Sequence, residues 1–161
     1  QDLLIYAINI LKDKIQNVKL LLVGQGKLME EYKTLVNKLG LQEYVEFLGY
    51  RKDVANLLMM ADVAVSSSRQ EGLPLNILEA MATGLPVVAT DCRGNRDLVA
   101  NEENGYIIPL NDYESFAEAI IKIYQSNDLR ERFCNKSTEL VKKYSLNNVR
   151  SEMEEIYSNY L

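Results

Sequence analysis

Apolar residues along the chain switch repeatedly between two spacings. Residues 2–13 place Leu3, Leu4, Ala7, Ile8 and Leu11 at helical intervals. Val18 to Val23, Val-Lys-Leu-Leu-Leu-Val, is then an almost unbroken apolar run, as in a strand buried on both faces. Gly24-Gln25-Gly26 interrupts it, residues 28–39 return to helical spacing, and Gly40 ends them. Val45-Glu46-Phe47-Leu48 reads as a short strand ended by Gly49. Residues 52–60 read as a helix and Asp62 to Ser66 as a strand. A helix from Pro74 to about Thr83 precedes the strand Pro86–Thr90, and Gly105–Pro109 forms a last short strand. Residues 112–126, 128–144 and 146–160 read as three terminal helices, with Asp112 and Asn127 as expected N-caps of the first two.

Five strands separated by helices imply right-handed βαβ units. The expected fold is α/β: a Rossmann-like parallel sheet with helices on both faces, taking ligands at the carboxyl ends of its strands. The chain opens on a helix, where a mononucleotide-binding half begins with its central strand. A strand just before Gln1 is therefore expected, and without it the sheet has a gap at its centre.

Length and charge narrow the function. With 161 residues, 47% of them hydrophobic, the chain has the material for one domain with a real core. A net charge of −5 argues against general nucleic-acid binding. No apolar run approaches membrane-spanning length, and Gln1-Asp2-Leu3-Leu4-Ile5-Tyr6 lacks the basic start of a signal peptide. Cys92 and Cys134 lack metal-ligand or redox spacing and read as free thiols of a reducing compartment. The absence of His removes Ser-His-Asp and Cys-His catalysis and most zinc sites, leaving carboxylates, Lys or Tyr for acid–base work.

The richest segment is Glu71 to Thr90. Glu71 lies on a loop, Gly72-Leu73-Pro74 opens a helix, Glu79 sits one and a half turns into it, and Gly84-Leu85-Pro86 closes it. Leu75, Leu78 and Ala82 would form the apolar face, placing Glu79 at its edge and partly buried. A buried carboxylate needs partners, and ribose hydroxyls would supply two. A random pair of Glu residues reads as a solvated helix charge and a loop acid; the Gly-Pro flanks reverse that reading.

Other strand ends are more ambiguous. Gly24 and Gly26 either let backbone approach a phosphate beside a helix N-terminus or make a tight turn. Met29 stands where the dinucleotide fingerprint wants its third Gly, which weakens an NAD reading. Ser66-Ser67-Ser68 could face a ligand or cap a strand. Tyr50 could border a base or be a surface residue. Arg93 and Arg96 could approach phosphate, although Asp91–Asp97 reads more simply as a solvated turn.

Together these motifs resemble the C-terminal, donor-binding half of the GT-B glycosyltransferases of family 4, the retaining group 1 family. The likeness runs from Leu21-Leu22-Val23-Gly24-Gln25-Gly26 through Val45–Gly49, Ala61-Asp62-Val63, Glu71–Pro74 and Leu78–Ala82 to Gly84–Thr90 and Asn104-Gly105. Asp91–Leu98 looks like members that build bacterial capsule, exopolysaccharide or lipopolysaccharide. The resemblance implies that Glu79 holds the ribose hydroxyls and that Glu71, the expected catalytic residue, faces the donor sugar. It implies that Gly72, Leu73, Pro74 and Leu75 meet sugar and distal phosphate, with Pro74 giving no N–H. Gly24 and Gly26 would flank the diphosphate, Gly49, Tyr50 and Arg51 would wall the base, and Ser68 would join the donor site. No metal or cofactor is implied, because positive groups and helix dipoles stabilise the leaving diphosphate.

The phosphate-binding Arg and Lys of the family, and its acceptor-binding domain, would lie upstream of Gln1. Residues 146–160 would cross back to that domain, and the segment alone is expected to catalyse nothing. The implied partners are a nucleotide-sugar donor, with UDP as the default base, and a glycan or lipid-linked acceptor. The implied setting is cytoplasmic, with the full-length enzyme at the inner membrane face. Two other classes remain: a non-catalytic nucleotide-binding Rossmann module, which would give Glu71 no role, and a GT-B epimerase that turns over nucleotide sugars without an acceptor.

Overall fold

The computed structural model describes residues 1–158. The elements alternate as the apolar spacing requires. Helix α1 (Asp2–Leu11) leads to β1 (Leu20–Val23), α2 (Met29–Lys38), β2 (Val45–Gly49), α3 (Val54–Met60) and β3 (Ala64–Ser66). Helix α4 (Leu75–Ala82), β4 (Val87–Thr90), α5 (Arg93–Leu98) and β5 (Gly105–Ile108) complete the layer. Helices α6 (Tyr113–Gln125), α7 (Asn127–Leu140) and α8 (Leu146–Ser158) follow. The expected last helix ran to residue 160, and its final two positions lie outside the described residues.

All strand pairs are parallel, but the strands form two sheets, β1-β2 and β3-β4-β5. Strand β4 shows how the layers close. Its four residues are all buried, and successive side chains leave on opposite faces. Val88 enters a core shared with Leu3, Ile8 and Leu11 of α1 and Phe116 and Ile123 of α6. Val87 and Ala89 enter a second core with Ile77 and Met81 of α4 and Leu98 of α5. Helices thus cover both faces, as expected. Packing of α1 against α6 spans the break between the sheets.

The facing edges of β1 and β3 are not bonded to each other. Between them lies a cleft of about 650 Å³, walled by Leu20–Val23 on one side and Ala64–Ser68 on the other, with Leu4 and Ile8 at its floor. This is the central gap expected of the sheet. It also corrects the reading of β1 as buried on both faces. Leu20 and Leu22 are buried, but Leu21 and Val23, on the opposite face of the strand, are each 39% exposed, so only one face of β1 is fully covered.

Three further expectations are corrected. Asp112 does cap α6, accepting from the Ser115 N–H at 2.9 Å, but the cap of α7 is Ser126, which accepts from the Leu129 N–H at 3.2 Å; Asn127 is already helical. The helix expected over 128–144 ends at Leu140 and continues as a 3-10 turn, Val141–Tyr144. The solvated turn expected over Asp91–Asp97 contains helix α5, with Gly94, Asn95 and Leu98 buried.

Candidate functional site

Helix α4 packs by Ile77, Ala80 and Met81, with Pro74 buried at its start. The expected face of Leu75, Leu78 and Ala82 is not the buried one: Leu75 is 65% exposed and Ala82 is exposed. The helix is therefore rotated from the orientation its sequence suggested, and Glu79 is exposed rather than partly buried. It lines the central cleft together with Asn76 and Ser66–Ser68.

Glu71 is half-buried on the loop between β3 and α4. Its Oε1 accepts a hydrogen bond from Ser68 Oγ at 2.7 Å. The two acids thus reach one region, Glu79 directly and Glu71 through Ser68. Gly72 and Leu73 are exposed between them. No side chain caps α4, and its first turn bonds only from Ile77 onward, to the Pro74 carbonyl. The N–H groups of Leu75 and Asn76 are left as donors at the head of the helix, where the dipole favours an anion.

The glycine turn lies at the carboxyl end of β1. Gly24 has φ 126°, a conformation that only glycine adopts without strain, and its N–H donates to the Gly49 carbonyl at 2.7 Å. Gly24, Gln25 and Gly26 border a recess of about 350 Å³ with Tyr32 and Gln1. This recess shares Gln1, Leu22 and Val23 with the central cleft, so the turn and Glu79 open onto neighbouring space. Helix α2 also begins without a side-chain cap.

Tyr50 and Arg51 line neither space. Tyr50 is 69% exposed. Arg51 makes a two-pronged pair with Asp53, Nε to Oδ1 at 2.8 Å and a terminal guanidinium nitrogen to Oδ2 at 2.6 Å. That bond holds the Asp53 carboxyl below its usual range and raises the Arg51 pKa. As placed, Arg51 is committed to Asp53.

Sequence reasoning missed the support beneath Glu71. A Cβ on Gly94 would stand 2.5 Å from the Gly72 carbonyl oxygen and 2.9 Å from Glu71 Cβ. The first turn of α5 is therefore the floor of the Glu71 loop. The available signal was a Gly followed by Asn inside an otherwise charged segment just after a strand. Arg96 turns outward to Asp91 at 2.6 Å, and Arg93 is exposed. Among the described residues no cluster of three or more His, Cys, Asp or Glu is placed to hold a metal ion, and no helix is long and apolar enough to cross a membrane.

Parallel strands between two helical layers, with acids, glycine turns and uncapped helix starts along the carboxyl edge, define a Rossmann-like ligand-binding domain. Comparison with known proteins makes the class specific. Residues 1–140 match the family model for glycosyl transferases group 1. A Bacillus subtilis protein named "Putative glycosyltransferase EpsD" is 37% identical over 161 residues, all of this chain and 42% of that protein. An Escherichia coli UDP-Gal:alpha-D-GlcNAc-diphosphoundecaprenol alpha-1,3-galactosyltransferase is 34% identical over 137 residues, 84% of this chain and 35% of that protein. The crystal structure of Anabaena HepE in complex with UDP-glucose superposes with a TM-score of 0.89 at 25% identity, covering 99% of this chain and 45% of that one. The chain belongs to the group 1 glycosyltransferase family, with the GT-B fold, and spans less than half the length of these relatives.

Proposed function

We propose that this chain is the donor-binding domain of a retaining glycosyltransferase. The full-length enzyme moves a hexose from a nucleotide diphosphate sugar, UDP-linked by default, to a glycan or lipid-linked acceptor of a bacterial surface polysaccharide. The observation that carries the reading is the convergence of Glu79, the Ser68–Glu71 pair and the free N–H groups of α4 at the carboxyl edge of β3, across the cleft from the Gly24–Gly26 turn. Glu79 has the reach and the charge to accept from ribose hydroxyls. Glu71, with one oxygen held by Ser68, presents the other to the sugar. Gly72, Leu73 and Leu75 offer backbone N–H groups to the distal phosphate and Pro74 offers none; the turn at Gly24 and Gly26 faces the other end of the diphosphate. Backbone donors and helix dipoles then stabilise the leaving diphosphate without a metal or other cofactor.

The relatives support this reading by what they are named for: a UDP-Gal-dependent transfer to a diphosphoundecaprenol-linked acceptor in one, UDP-glucose bound in the other. A lipid-linked acceptor would place the full-length enzyme at the inner membrane face, its acceptor domain lying outside these residues.

The test is titration of the full-length protein with UDP, GDP, ADP and NAD by ligand-observed NMR, for wild type and Glu79→Ala. A carboxylate–hydroxyl bond contributes enough that its loss should weaken UDP or GDP binding about 10- to 100-fold. Preference for NAD, or nucleotide binding indifferent to Glu79, would overturn the assignment.

A further inference from the structure

The corner joining β4 to α5 holds the Glu71 loop by a line of polar contacts that begins in the buried interior. Thr90 ends β4, and its hydroxyl donates to the Ser68 carbonyl at 2.5 Å and lies 3.4 Å from the Ser66 carbonyl. The Thr90 carbonyl in turn accepts from Asn95 Nδ2 at 2.8 Å. Both Thr90 and Asn95 are 0% exposed. Ser68, gripped at its backbone by Thr90, donates its own hydroxyl to Glu71. An unbroken line therefore runs from Asn95 through Thr90 and Ser68 to the carboxylate.

Asn95 Oδ1 is buried with no partner among the described residues. An unpaired buried acceptor is costly, and an apolar side chain of similar volume would avoid that cost. What the amide does at this position is done by its nitrogen, which holds the end of β4. The hydroxyl of Thr90 is similarly specific, since Val would fill the same space without the bond.

We propose that Thr90 and Asn95 are positioning residues for the donor sugar: through Ser68 they fix the direction in which Glu71 presents its carboxylate. The inference rests on the reading of Glu71 as the sugar-facing acid. Neither residue touches the ligand, so nucleotide affinity and sugar affinity should separate when the line is cut.

The test uses the full-length protein with Thr90→Val, Thr90→Ser and Asn95→Ala. Amide NMR needs no ligand. Thr90→Val should shift the Ser68–Leu73 amide resonances, while Thr90→Ser keeps them at their native positions. Calorimetry then compares UDP with UDP-glucose, UDP-galactose and UDP-GlcNAc. In Thr90→Val and Asn95→Ala the extra affinity contributed by the preferred sugar should fall about tenfold with UDP affinity unchanged, and Thr90→Ser should restore it. Unchanged Ser68–Leu73 resonances in Thr90→Val, equal loss of UDP and sugar affinity, or a full sugar increment in Asn95→Ala would each overturn the proposal. If Thr90→Val does not fold, Asn95→Ala decides by the same two readouts. A wild-type protein that binds no nucleotide would instead sink the donor-binding reading, and the amide resonances would then decide the positioning role by themselves.

Discussion

Gly94 is the residue on which the Glu71 loop rests. The space for its side chain is already filled by the Gly72 carbonyl and by Glu71 itself, both backbone-tethered and unable to swing aside. Gly94→Ala should therefore destabilise the protein by about 1–3 kcal/mol, the usual scale of overpacking. The same change should lift Glu71 and weaken UDP-hexose binding more than UDP binding. Thermal unfolding and calorimetry of the variant check both, and a variant as stable as wild type would show that the loop shifts freely. At this scale the sequence identified the acids but not their setting. Glu71 and Glu79 stand out by spacing, yet α4 is apolar at most positions, so Leu75-Leu78-Ala82 and Ile77-Ala80-Met81 are equally good helical stripes. Only the contact of Ile77 and Met81 with Val87 and Ala89 chooses between them.

The helices divide by what waits at their N-termini. Helices α6 and α7 carry side-chain caps from Asp112 and Ser126, whereas α1 to α5 carry none; of these, α4 opens at the cleft and α2 at the recess beside it. A capped end has given its N–H groups away, while an uncapped one keeps them for a ligand. The Asp112 cap has a pH signature. The Ser115 N–H stabilises the ionised carboxylate and lowers its pKa in the folded state. The cap's contribution is complete above the ordinary carboxylate range and disappears as pH falls through the lowered value. Asp112→Ala should thus lower the melting temperature at neutral pH, and the gap from wild type should close in acid. A gap that stays constant with pH would mean that the carboxylate charge does not matter to the cap. Most elements were legible because apolar period and Gly or Pro boundaries agree. Helix α5 was not, because its six residues hold three charges and a glycine and show no apolar period. It exists because Leu98 and Val99 anchor it in the core.

For the whole molecule, the decisive feature is the slot between β1 and β3. Edge strands of the two sheets, β1 and β3, face it, and apolar side chains line it. An extended segment from outside these 161 residues that entered the slot would bond to both edges and join the two sheets into one. Amides of Leu20–Val23 that point away from β2, and those of Ala64–Ser66 that point away from β4, should then exchange at least tenfold more slowly in the full-length protein than in the isolated 161-residue chain. Equal rates would show that the slot stays open.

The sequence by itself determined the α/β class, the order of strands and helices, and the chemical candidates, because these depend on local period, turn residues and the spacing of Glu71 and Glu79. The tertiary structure decided which stripe of α4 is buried, that Glu79 faces a cleft, that Arg51 binds Asp53, and that Thr90, Gly94 and Asn95 underlie Glu71. Those outcomes depend on which surfaces meet across long stretches of chain. Packing and buried hydrogen bonds select them, and no local pattern encodes the choice.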